Sequence, residues 1–91
     1  MFGERVADYR VVFTRSARKE LENLPRTTAD RIVAMSERLA AEPRPVGARK
    51  LRGATDLWRV RVGDYRVVYA INDTEHVVDV RVVRHRKDAY R

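Results

Sequence analysis

The stretch LWRVRVGDYRVVY, residues 57–69, decides the fold. It holds two alternating runs joined by Gly63-Asp64, and such runs around a two-residue glycine-containing turn are the signature of a β-hairpin. The turn pairs Val62 with Tyr65, Arg61 with Arg66 and Val60 with Val67. One face then carries Trp58, Val60, Val62, Tyr65, Val67, Tyr69 and Ile71. The other face sets Arg61 against Arg66. Like charges directly across a strand pair are destabilising, so the two arginines either stand in water or hold an anion between them.

Downstream, residues 76–83 form a third strand-like run whose Val78, Val80 and Val82 join the apolar face. A turn around Asn72-Asp73-Thr74-Glu75 predicts Arg66 opposite Arg81 and Val68 opposite Asp79. Arg61, Arg66 and Arg81 would then form a row across three strands, with Arg59, Val68 and Asp79 in the next row. A three-residue loop would instead flip the faces of the last strand.

Upstream, PRPVGARKLRGATD (residues 43–56) has no periodicity and reads as a basic loop carrying Arg44, Arg49, Lys50 and Arg52. YRVVFT (residues 9–14) alternates as a strand. Ser16 is the expected N-cap of a first helix, with Ala17, Leu21 and Leu24 on one face until Pro25. Thr27 and Asp30 form a capping-box-like start for a second helix, whose inward stripe is Ile32, Met35, Ser36, Leu39 and Ala40. The order β-α-α-β-β-β predicts a single α+β domain over residues 1–91, with two N-terminal helices packed on a mainly antiparallel four-stranded sheet.

At 91 residues the chain has room for one thin core. It has no cysteine, so disulfides and thiolate chemistry are excluded, and His76 and His85 lack metal-site spacing. The N-terminus has no apolar run of signal-peptide or membrane-span length, which points to a soluble cytoplasmic protein. The formal charge is +7 and lies in the second half: residues 44–91 hold 12 Lys and Arg against 6 Asp and Glu, residues 1–43 hold 8 against 7. A one-sided basic surface suits a polyanion, nucleic acid first and anionic membrane second. The plainer reading is a solvated surface kept for solubility.

Arginine stays charged at neutral pH, and its planar donors match phosphate oxygens in pairs, so an arginine row on a sheet face is a phosphate cradle. His85 can titrate near neutral pH, Tyr90 can move a proton or stack on a base, and Lys50 and Arg52 can follow an RNA backbone. Each also has an ordinary surface reading, and Tyr90 lies next to the end of the sequence given.

The set FTRSARKELENLP, KLRG, WRVRVGDYRVVY and VVRHRKDAYR resembles the RelE/ParE superfamily of type II toxin–antitoxin toxins, over nearly the whole chain. The resemblance implies a microbial-RNase-like fold. For the RelE branch it implies a ribosome-dependent endoribonuclease that cuts the mRNA codon in the ribosomal A site, inhibiting translation. There the ribose 2′-hydroxyl attacks the adjacent phosphate without metal or other cofactor. Arg59 and Arg61 fall where that branch has two basic residues, usually lysines. Arg66 matches the arginine of its YR motif, Arg86 an arginine near the C-terminus and Tyr90 a terminal catalytic tyrosine. Arg81 has its place from strand parity alone.

Since arginine is effectively never deprotonated, Arg59 and Arg61 would neutralise the transition state, leaving acid and base to Tyr90 and His85. A cognate antitoxin, encoded adjacently and folding on the toxin, is the implied partner beside the ribosome and mRNA. The ParE branch offers the alternative, a DNA gyrase poison on the same scaffold. A basic RNA-binding module without chemistry is a third reading.

Overall fold

The computed structural model describes residues 8–53 and 56–87. Its elements run β1 (Arg10–Phe13), α1 (Arg15–Glu22), α2 (Arg26–Arg38), β2 (Arg49–Lys50), β3 (Leu57–Val62), β4 (Tyr65–Asn72) and β5 (Val77–His85). Two helices cover one face of a five-stranded sheet of order β1-β5-β4-β3-β2. β1 pairs with β5 in parallel, and the other neighbours are antiparallel. The expected α+β layering holds, with five strands in place of four. The added strand is the two-residue β2, a stretch of the basic loop too short to leave a periodic signal. No helix among the described residues is long and apolar enough to cross a membrane.

Both helices start earlier than expected. β1 hands directly into α1 through Thr14, whose N–H donates to the Val80 carbonyl at 2.9 Å while its Oγ1 accepts from the Ala17 N–H at 3.1 Å. Pairing with β5 fixes Thr14 as the cap, so Ser16 lies inside the helix. α2 begins on Pro25, whose carbonyl accepts from the Ala29 N–H at 2.9 Å and which has no side chain to cap with. Proline at a helix start is pre-set in φ, so Thr27 also falls inside. Asp30 instead stands 3.9 Å from Arg26 in an exposed i,i+4 pair worth little.

The core lies between the helices and the sheet. Ala17 of α1 and Ile32 and Ser36 of α2 are fully buried, as are Leu39 and, on the sheet, Val67, Tyr69, Val78 and Val80. The Ser36 hydroxyl is satisfied by donating to the Ile32 carbonyl at 2.8 Å, which removes the cost of burying it. Tyr69, the largest of these side chains, donates its hydroxyl to the Pro43 carbonyl at 2.7 Å.

The hairpin register is as expected: Val62 faces Tyr65, Arg61 faces Arg66 and Val60 faces Val67. Gly63 alone of the two turn residues has positive φ, at 59°, as a type II′ turn requires. The β4–β5 register differs. The connecting loop is Asp73–His76, with His76 at φ 57°, so Asn72 faces Val77 and Ala70 faces Asp79. A bulge then inserts Arg81 into β5, after which Val68 faces Val82, Val67 faces Val83 and Arg66 faces Arg84. The expected pairs Arg66–Arg81 and Val68–Asp79 are therefore wrong. Val83, 3 % exposed, takes the core position expected for Val82.

Candidate nucleic-acid interface

On the face away from the helices, the register places Arg61, Arg66 and Arg84 in one row across β3, β4 and β5. Arg49 of β2 stands opposite Arg59 in the next row. Arg49, Arg59, Arg61 and Arg66, with Gly47 and Val60, line a concavity of about 340 Å³. Arg66 is the innermost, with 8 % of its surface exposed, while Arg61 is exposed. A sheltered guanidinium flanked by others attracts an anion more strongly than the same charge in bulk water, because the local dielectric is lower. Five guanidiniums on two rows suit a phosphodiester backbone.

Arg84 is the residue the sequence reading missed. It occupies the place expected for Arg81 because of the Asp73–His76 loop and the bulge, and the bulge leaves no signal in the sequence. Arg81 sits on the bulge, exposed, with its Nε 3.3 Å from Asp79 Oδ2. It lines a second concavity of about 890 Å³ at the far end of the same face, where Asp56 and Asp79 offset Arg10 and Arg81. Arg49 was also missed: in the β2–β3 pairing it shares the face of Arg59, while Lys50 shares that of Trp58. Lys50 is thus turned away from the row, and Arg52 is exposed in the turn beyond β2.

His85 does not join the arginines. It pairs with Tyr65, and their rings meet edge to face at 5.2 Å, on the side of the sheet that packs against the core. Its Nδ1 accepts from the Lys87 N–H at 3.2 Å. Arg86 borders the β3–β4 turn, its N–H donating to the Asp64 carbonyl at 2.7 Å and its Nε 3.9 Å from the Asp64 carboxylate. Tyr90 lies outside the described residues.

The opposite end of the sheet is tied down by polar contacts. Asp73 accepts from the Tyr9 hydroxyl at 2.6 Å and from both terminal nitrogens of Arg44, at 3.3 and 2.9 Å. The Arg44 and then the Tyr9 hydrogen bonds hold the Asp73 carboxyl below its ordinary range, and Asp73 in turn raises Tyr9. The Arg44 guanidinium also lies 5.2 Å from the centre of the Trp58 ring, a cation–π contact. Burial pushes the Tyr69 hydroxyl up to about 12. These contacts join Tyr9, just before β1, to the loop after α2, β3 and the β4–β5 turn, and so steady the sheet that presents the arginines.

The class of this small α+β domain with an arginine-lined outer sheet face follows from comparison with known proteins, which are type II toxins. Residues 11–90 match the family described as ParE toxin of the type II toxin–antitoxin system parDE. The chain belongs to this family, within the RelE/ParE superfamily of toxins. It is 36 % identical over 84 residues to toxin RelG of Mycobacterium tuberculosis, covering 91 % of this chain and 97 % of that one. The RelE–RelB complex of Pyrococcus horikoshii contains a chain that superposes with a TM-score of 0.78 at 33 % identity, covering 87 % of this chain and 96 % of that one. An arginine-to-alanine double mutant of E. coli toxin RelE, in the free state, gives 0.77 at 27 % identity, covering 91 % and 88 %.

Proposed function

We propose that this toxin is a ribosome-dependent endoribonuclease that cuts mRNA in the A site, with the arginine concavity as its phosphate site. The observation that carries the proposal is the gathering of Arg49, Arg59, Arg61 and Arg66 around one hollow, with Arg84 continuing the row. The RelG and RelE names of its relatives support the same reading.

In the proposed step the 2′-oxygen bonds to the adjacent phosphorus and the bond from phosphorus to the next 5′-oxygen breaks. The products are a 2′,3′-cyclic phosphate and a 5′-hydroxyl, and the proton lost from the 2′-oxygen is balanced by the one gained at the 5′-oxygen. No metal takes part. Arg59, Arg61, Arg66 and Arg84 neutralise the added charge on the phosphorane, the electrostatic task that contributes most. Guanidiniums cannot accept the 2′ proton, so proton transfer falls to Tyr90, while Arg86 and Arg52 meet the flanking backbone. The partners are mRNA on the ribosome and a cognate antitoxin, the latter supported by the RelE–RelB complexes among the relatives. The site of action is the cytoplasm.

The match to the ParE family favours a second reading, a DNA gyrase poison that cuts no RNA. Primer extension on mRNA from briefly induced cells separates the two. Cuts inside translated codons, absent with Arg66→Ala, support cleavage. Intact mRNA with DNA breaks and an SOS response moves the chain to gyrase poisoning.

A further inference from the structure

β1 pairs with β5 only as far as Phe13 opposite Val80, and the backbone contact ends with the Thr14 N–H on the Val80 carbonyl. Beyond the bulge, the residues of β5 that carry Arg84 have β4 on one side and α1 in place of a strand on the other. There Glu20 of α1 bridges two donors. Its Oε1 accepts from the Val83 N–H at 2.8 Å, and its Oε2 accepts from Arg84 Nε at 3.2 Å. The glutamate side chain is 26 % exposed and that of Arg84 55 %.

We propose that Glu20 is a positioning residue, which holds Arg84 in the anion-binding row by joining its Nε to the backbone of β5. The inference rests on the phosphate-site reading given above. A carboxylate in this place does what a neutral acceptor cannot. One oxygen satisfies a strand N–H that no neighbouring strand reaches, and the other fixes the inner nitrogen of a long side chain that otherwise samples many rotamers. An anion at the row then meets the two terminal amino groups of Arg84. Half exposed, the Glu20–Arg84 pair adds little to folding stability by itself; its effect is on where the guanidinium stands.

Glu20→Gln tests this and leaves the fold supported, because the amide oxygen still accepts from the Val83 N–H while the amide nitrogen, itself a donor, cannot accept from Arg84 Nε. Two readouts are needed. The first is the Arg84 Nε–H signal in ¹⁵N NMR of the purified protein, which should lose its protection from water exchange in Glu20→Gln at an unchanged melting temperature. The second is affinity for a short single-stranded RNA, measured for Glu20→Gln, Arg84→Ala and the double variant. Glu20→Gln should weaken binding about fivefold, the scale of one charge-assisted contact, and should have no further effect once Arg84 is alanine. An unchanged Arg84 signal, or the same loss in the Arg84→Ala background, overturns the proposal. A wild-type protein that binds no RNA overturns the phosphate-site reading instead, and the NMR signal still decides whether Glu20 holds Arg84.

Discussion

Arg66 and Arg84 face each other across β4 and β5 on the side of the sheet away from the helices, while their chain neighbours Tyr65 and His85 meet on the other. One pair of adjacent strands thus separates an arginine-bearing face from a ring contact at the edge of the core. The nearness of His85 to Arg84 in the sequence does not put its ring on the face that carries the Arg84 guanidinium.

Arg84→Ala should weaken single-stranded RNA binding by about tenfold and lower the salt slope of log K by about 0.7, the share of one phosphate contact. Arg81→Ala should change affinity by no more than about twofold, since its charge is offset by Asp79 at the far end of the face. Binding titrations across a range of salt concentrations read both.

His85→Phe should leave ribosome-dependent cleavage near the wild-type level, because the ring faces Tyr65 and not the arginines. Tyr90→Phe should abolish cleavage and leave RNA affinity unchanged. Primer extension alongside binding measurements separates the two variants.

Tyr69 makes the fold sensitive to alkali. Its folded pKa of about 12 stands above the ordinary value of 10.0, so the folded state keeps the proton that the unfolded chain loses. The contribution, about 2–3 kcal/mol from the shift, is fully present below pH 10 and is lost as pH rises through 12. Tyr69→Phe should be less stable at neutral pH by about 1–2 kcal/mol, since the Pro43 carbonyl loses its donor. Its stability should fall less steeply over that alkaline window in denaturant titrations.

Asp73→Asn should lower the melting temperature at neutral pH. The wild-type carboxyl titrates below its ordinary 3.8 because Arg44 and Tyr9 bond its charged form. Its contribution is therefore present above that value and lost as pH falls through the lower folded one. The difference between the proteins should shrink over that acid interval in thermal melts.

Gly63→Ala should destabilise the hairpin by about 1–2 kcal/mol through its positive φ. Space is not the obstacle: a Cβ there would meet the Arg31 guanidinium at 3.5 Å, an ordinary contact. A chemical denaturation curve with an unchanged m-value is the expected result.

The β3–β4 hairpin was legible because a two-residue turn leaves one register, and the alternation on both sides agrees with it. The helix stripes were legible too, since Ala17, Ile32 and Ser36 are all fully buried. What the residues did not declare was any place where the backbone departs from a regular count. His76 holds a positive φ that glycine or asparagine would have advertised. Arg81 enters the bulge with nothing in its side chain to mark it, and so Arg84 was overlooked. The helix starts were misplaced for a related reason: Thr14 is fixed by its bond to Val80, a contact 66 residues away along the chain.

The extra residue at Arg81 gives β5 two reading frames. Even-numbered Val78 and Val80 point to the core before it, and odd-numbered Val83 and His85 after it. Removing that one residue would restore a straight ladder and require every later side chain to change sides or the strand end to slide by one position. In this strand, insertion or deletion exchanges the charged and apolar surfaces wholesale, where substitution alters them one residue at a time.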